Sequence, residues 1–307
     1  QLFGMQLNRV AALELESHFD MAETLLDQIQ RDAAKRRHAE HIEEAEKALL
    51  HLLWSKKDYA SASALMRQQL PALAAKHGER SPQMLEKLCE LSASERDGRQ
   101  TYQAITHAQA ALEIARDRPA DRLGLFLSLM ALATAEAGAG RTTESSEHAQ
   151  EALKHARDAG DNAQVESALE HLGHLHRDAQ RYEEALDWFR QRAKLVISNH
   201  ASTKDVVEAL KNVCSTATKL HLRSEAMEAA QQAWNHLKTD PGLIEDKSFA
   251  AAIALHAVHC FRMLRNASGG APEPADMDAW IQLMDPSNPD VLSILRGRQE
   301  SASEPLK

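Results

Sequence analysis

One triplet of residue types recurs along this chain at intervals of 40 to 42 residues, and that period limits the fold more than any other feature. It appears as Phe19, Ala22 and Leu26, then Tyr59, Ala62 and Met66, then Thr101, Ala104 and Ala108. Thr142, Ser145 and Ala149 follow, then Tyr182, Ala185 and Phe189, and last Arg223, Ala226 and Ala230. Residues three, four and seven apart share one face of a helix, so each triplet marks a helix packed through the same small residue. Gly78, Pro119, Gly160 and Gly242 give a second register, at steps of 41, 41 and 82 residues. Each sits in a polar stretch, and both residue types end helices for steric reasons, so they mark turns between repeats. Two periodic signals with one period predict a stack of similar helical units, each burying its apolar face against its neighbours.

Composition agrees with that reading. Ala, Leu, Glu, Gln and Arg recur throughout while aromatics are only 4%, a mixture that keeps side-chain freedom in helices. The net charge of −9 argues against direct binding of nucleic acid, which leaves a basic footprint. No run of about 18 apolar residues exists to span a membrane. Cys89, Cys214 and Cys260 are odd in number and form no C-x-x-C pair, so they read as reduced thiols of a cytoplasmic protein. The chain begins Gln1-Leu2-Phe3, which suggests a processed form or a piece excised from something longer.

Within each period the pattern predicts a first helix, a short turn and a second helix. The clearest unit runs Leu169-Glu170-His171-Leu172-Gly173-His174-Leu175-His176, followed by Tyr182-Glu183-Glu184-Ala185-Leu186-Asp187-Trp188-Phe189. This unit resembles the tetratricopeptide repeat (TPR) signature, with Leu169, Leu172, Gly173, Ala185 and Phe189 in its packing slots. Gly and Ala let the two helices approach, and the large residues fill the remaining space. His176 stands where an aromatic is usual, Arg192 where Ala is usual, and the terminal Pro is absent. The period exceeds the common 34 residues by about seven, as in the longer repeats of kinesin light chains and bacterial TPR regulators. HEAT-type arrays also have periods of about 40 to 47, but the Gly-Ala slots fit TPR better. The resemblance implies an all-α, right-handed superhelical solenoid over residues 1–265, with six helix pairs and a seventh first helix. Residues 266–275 read as a linker, and 276–307 as short helices that cap the open end or lie in the groove.

No phosphate-cradling loop, nucleophile elbow, H-E-x-x-H or paired cysteines at zinc spacing occurs, so no enzyme, metal or cofactor is expected. The 16 histidines include His171 and His174, and His256 and His259, pairs three apart that could chelate a metal. A closed site needs four ligands, so polar groove residues are the plainer reading. In a TPR array the first helices line the concave face. Projection through the register places Lys47, His51 and Trp54 there, then Glu86, Glu90 and Arg96, then Leu127, Met130 and Thr134. Glu170, His171, His174 and Arg177 follow, then Lys211, Asn212, Ser215 and Lys219, and finally His256 and His259.

Such a mixed surface suits another protein or a peptide with charged and apolar anchors. The clamp by which chaperone-tail TPR domains hold a C-terminal carboxylate is not matched, since His51 and Glu90 stand where Asn is needed. The implied function is a non-catalytic protein- or peptide-binding scaffold, with room for a homodimer. The alternative is the peptide- or small-ligand-sensing part of a larger bacterial regulator, and a metal-responsive solenoid is a more distant third.

Overall fold

The computed structural model describes residues 2–36, 38–268, 274–284, 287–289 and 291–296. Among them are fifteen named helices and no strand. The first helices of the successive pairs are α1 (Leu2–Leu15), α3 (Ala39–Ser55), α5 (Pro82–Asp97), α7 (Arg122–Gly138), α9 (Asn162–Asp178), α11 (Thr203–Lys219) and α14 (Lys247–Ser268). The second helices are α2 (Phe19–Arg36), α4 (Tyr59–His77), α6 (Thr101–Arg116), α8 (Thr142–Ala159), α10 (Tyr182–Ser198) and α12 (Arg223–Leu237). Two short helices, α13 (Pro241–Glu245) and α15 (Met277–Gln282), complete the set. Contacts gather residues 1–148 and 149–307 into two units. In each, helices pack on their sequence neighbours, and first helices also touch the next first helix: α1 with α3, α5 with α7, α11 with α14.

The turn inside each pair has the same construction every time. Ser17, Lys57, Arg99, Gly140, Gln180 and His221 all have φ between 57° and 74°, and they recur at the repeat period. At each, the next residue's N–H reaches five residues back, as in Asp58 to Leu53 (2.8 Å), Gln100 to Glu95 (2.7 Å) and Arg181 to His176 (2.8 Å). The left-handed residue's own N–H reaches three back, as in Lys57 to Trp54 (2.9 Å) and Gln180 to Arg177 (2.9 Å). This Schellman closure satisfies carbonyls that the helix end leaves open. Only Gly140 among the six is the glycine that such a position favours, so at the other five no glycine marks the left-handed residue. Ser or Asp side chains start the next helix in several repeats: Ser81 accepts from Met84 N (3.2 Å), Asp121 from Gly124 N (2.8 Å) and Asp161 from Gln164 N (3.1 Å).

The packing slots behave as their residue types require. A Cβ on Gly173 would lie 2.4 Å from Phe189 Cε1, so the fully buried ring occupies the space that glycine leaves. Twelve residues before each triplet's middle residue, the equivalents of Gly173 include Ser92, Ala133 and Cys214, all small and buried. The second repeat departs from this, with Leu50 in the small slot and Gln69 where Ala111, Ala152 and Ala233 stand elsewhere. Gln69 Nε2 donates to Glu46 Oε2 at 2.8 Å, and a cleft of about 550 Å³ runs between α3 and α4, lined in part by Ile42, Leu50, Leu65 and Leu73. His176, in its expected packing slot, is 7% exposed.

Arg192 also occupies that Ala slot and is 3% exposed. Its Nη2 donates to Glu166 Oε1 (2.9 Å), and its Nη1 lies 3.3 Å from Glu170 Oε1. A buried guanidinium therefore ties α10 to α9 where neighbouring repeats use a methyl group. A second polar device repeats in the first unit. Glu95 and Glu136 are buried carboxylates 41 residues apart, paired with His107 and His148, also 41 apart, each Nδ1–Oε2 distance being 2.7 Å. Arg67 Nη1 adds a third group to Glu95 at 3.1 Å. Buried carboxylates persist only when so paired.

Met277, Trp280, Met284, Val291 and Ile294 bury themselves in the same core as Trp234, Leu237 and Phe261. Trp280 meets Trp234 edge to face, 6.1 Å between ring centroids. The C-terminal pieces thus pack as a cap on the last helix pair. The expected linker begins later than the sequence suggests, because Asn266, Ala267 and Ser268 continue α14; residues 269–273 and the tail beyond 296 lie outside the described residues. None of the described helices is long and apolar enough to cross a membrane.

Candidate peptide-binding face

A helix packed on one side by its partner and on two others by its neighbours leaves one edge free. The side chains that project from the first helices along that edge form the candidate face, in each unit separately. In the first unit, Lys47 and His51 of α3 are exposed, as are Glu86 and Glu90 of α5 and Leu127 of α7. Arg96, Met130 and Thr134 are half-buried. Lys47 Nζ pairs with Glu43 (3.2 Å) and lines the α3–α4 cleft, and the Lys47 and Lys76 ammonium groups hold the Glu43 carboxyl below the usual range. His51 Nδ1 sits 2.8 Å from Glu14 of α1, whose carboxylate also accepts from Ser55. Lys87 bonds Glu90 at 2.6 Å, and Arg96 turns onto Asp97 at 2.8 Å.

Trp54 serves the core more than the face. It is half-buried, packs against the cluster of Leu50, Leu53, Met66 and Leu91, and its Nε1 reaches Ser94 Oγ at 3.4 Å. Leu123, Leu127 and Met130 leave an apolar strip on α7, Leu123 being 54% exposed, beside the acidic Glu86 and Glu90 of the adjoining α5. Leu123 was not anticipated, although it stands four residues before Leu127 and so shares its edge.

In the second unit, Glu170, His171, His174 and Arg177 of α9 are all half-buried. Glu170 lies 3.7 Å from His174 Nε2 and 3.3 Å from Arg192 Nη1. The imidazole, and after it the guanidinium, hold its carboxyl below the ordinary range against the opposing effect of burial. His174 meets Phe189 edge-on at 5.2 Å, so its ring rests on the repeat core. On α11, Lys211 and Ser215 are half-buried and Lys219 is exposed, while Asn212 is only 7% exposed and belongs largely to the interior. His256 and His259 of α14 are half-buried. Burial, then Lys211, then His259 push the His256 pKa below its ordinary value. Register alone located these residues, but it carried no signal for Glu14, Arg192 or Asp97, which fix His51, Glu170 and Arg96.

Among the described residues no group of three or more His, Cys, Asp or Glu side chains is placed to hold a metal. What the face offers is charge and hydrogen-bonding groups on rigid helices, with an acidic and apolar stretch in one unit and a more basic one in the other.

No family model matches this chain, and no curated protein matches its sequence. Solved structures do resemble it. Aspartyl phosphate phosphatase F from Bacillus subtilis has a TM-score of 0.60 at 14% identity, over 97% of this chain and 90% of that one. A Rap protein complexed with Competence and Sporulation Factor gives 0.54 at 16% identity, over 98% and 94% of the two chains. The TPR-like repeats of a putative kinesin light chain from Podosopora anserina give 0.54 at 16% identity, over 64% of this chain and 96% of that one. With its helix pairs, its Gly173–Phe189 slot and these likenesses, the chain has the fold of the TPR-like repeat proteins.

Proposed function

We propose that this protein is a non-catalytic scaffold that binds a peptide or another protein along the free edge of its first helices. The observation that carries the reading is the division of labour along those helices. Their inner positions are almost wholly buried, from Leu88 and Leu91 to Leu172, Val213 and Ala217. Their free edge keeps long polar and apolar side chains at solvent, including Glu86, Glu90, Leu127 and Lys219. The similar fold of a Rap protein seen with a bound factor supports the same use of helix pairs. Rigid helices hold such side chains in place before the partner arrives, which lowers the entropy lost on binding.

Site-specific photo-crosslinking tests this. A photoreactive residue would replace Leu127 or Ser215 on first helices, and Tyr102 or Gln232 on second helices, followed by capture from the source lysate and mass spectrometry. The same partner crosslinked from Leu127 and Ser215 but not from Tyr102 or Gln232 is the expected result. Capture chiefly from the second helices would place binding elsewhere and end this reading.

A further inference from the structure

The three cysteines of this chain are free thiols, and two of them meet. Cys214 of α11 and Cys260 of α14 stand 46 residues apart in sequence, yet their sulfurs lie 3.4 Å from each other. Both are buried, at 0% and 2% exposure, in the core that α11, α12 and α14 share with the C-terminal cap. Thr218 completes the group, with its Oγ1 3.2 Å from the Cys260 sulfur and 2.8 Å from the Cys214 carbonyl oxygen. The hydrogen bond from the Cys214 thiol holds the Cys260 thiol below its usual value, against burial and with help from Thr218. The same bond, and then burial, push the Cys214 thiol up. One sulfur is thus favoured as thiolate while its neighbour keeps its proton, the division that a nucleophilic and a resolving thiol need. Packing asks only for a small residue where Cys214 stands, as Ser92, Ala133 and Gly173 show in other repeats.

We propose that Cys214 and Cys260 form a modification site, at which hydrogen peroxide joins them in a disulfide that staples α14 to α11. A disulfide spans about 2.0 Å, so each sulfur need advance by only about 0.7 Å from where it stands. The Cys260 thiolate attacks one peroxide oxygen, the O–O bond breaks, and the hydroxide released takes up the Cys260 proton as water. The Cys214 sulfur then attacks the sulfenic sulfur, so that the S–S bond forms and the S–O bond breaks. The hydroxyl leaves with the Cys214 proton as a second water. Two thiols are oxidised and one peroxide is reduced, so the step balances. Burial selects a small oxidant, which enters when the last helix pair opens locally. The bond closes a loop that holds α12 and α13, restricts the opened state and so fastens the end of the array. None of this depends on what binds the first-helix edge.

The test exposes the full chain to hydrogen peroxide, then labels remaining thiols with N-ethylmaleimide in denaturant and maps the tryptic peptides without reductant. Peptides 212–219 and 248–262 should appear joined, both thiols being lost together and both restored by dithiothreitol. Cys89 is the internal control: it lies 3.9 Å from Ser128 Oγ, burial pushes its thiol up to about 11, and it should still label. Amide exchange in α11, α12 and α14 should slow roughly tenfold or more in the oxidised chain. Cys214→Ala should stop at a sulfenic acid on Cys260 that dimedone captures, and Cys260→Ala should react roughly tenfold more slowly than the parent. Labelling of Cys214 and Cys260 as complete as before peroxide overturns the proposal. So does sulfinic acid in place of the disulfide, or a disulfide that includes Cys89 or joins two chains. Unchanged amide exchange in the oxidised chain overturns the staple, and equal rates in the two variants overturn the roles given to the two sulfurs.

Discussion

Replacing Gly173 by Ala puts the packing account at risk, because helix propensity alone predicts the opposite sign. The new Cβ would lie 2.4, 2.6 and 2.8 Å from Phe189 Cε1, Cδ1 and Cζ, where ordinary contacts begin near 3.4 Å. The ring must therefore move by about 1 Å, yet Phe189 is fully buried and His174 rests against it. Overpacking of this kind costs about 1–3 kcal/mol. Ala in place of Gly in a helix returns about 1 kcal/mol, so the net loss is about 1 kcal/mol. Gly4 of α1 is the control: no atom lies within 4 Å of its Cβ, so Gly4→Ala should stabilise by up to about 1 kcal/mol. Phe189→Leu combined with Gly173→Ala should lose less than the sum of the two, with a coupling of about 1 kcal/mol. Urea denaturation gives the totals, and amide hydrogen exchange assigns the loss to α9 and α10, since repeat arrays open unit by unit. If Gly173→Ala is as stable as the parent, or protection in α9 and α10 is unchanged, the Gly173–Phe189 contact is not what closes this repeat.

Three further outcomes follow from the geometry. Gln180→Gly should stabilise by about 0.5–1 kcal/mol in urea melts, because a non-glycine residue at φ 60° carries a left-handed penalty that glycine avoids and only part of that gain is lost to a freer unfolded chain. Trp280→Ala should cost about 3–5 kcal/mol and raise amide exchange in α12 and α14, since Trp280 is fully buried against Trp234; unchanged exchange there would show that the C-terminal cap is dispensable. Burial holds His176 below its ordinary pKa, so the fold binds its neutral form: its contribution is complete above about pH 6.5 and is lost as pH falls through the folded value. His176→Phe should therefore lose less stability than the parent between pH 7.5 and 5.5, and a folded His176 titrating at or above 6.5 by NMR would contradict this.

Much of this architecture is legible in the residues because helix pairing repeats the same local problem. The small slots at Ala62, Ala104, Ser145, Ala185 and Ala226 and the breakers at Gly78, Pro119 and Gly160 are local requirements, so they show directly as a period. Gly173 announced the close approach of its helix for the same reason. The turns inside the pairs were not legible as such. Lys57, Arg99 and Gln180 adopt the left-handed conformation because the flanking helices impose it, and nothing in their side chains signals that. The candidate binding edge stands between these cases. Helical periodicity placed Glu86, Leu127 and Lys219 at solvent, but it also selected Trp54 and Asn212, which the neighbouring helices draw inward.

The sequence by itself determined the all-helical class, the period of about 41 residues and which helices pair, since each depends on spacing within a few turns of chain. Tertiary structure alone decided which charges meet. Arg192 finds Glu166 and Glu170 on another helix, and Glu95 finds Arg67 and His107. Those pairings depend on how helices distant in sequence are set against one another, and electrostatic and packing energies act through that space and not along the chain.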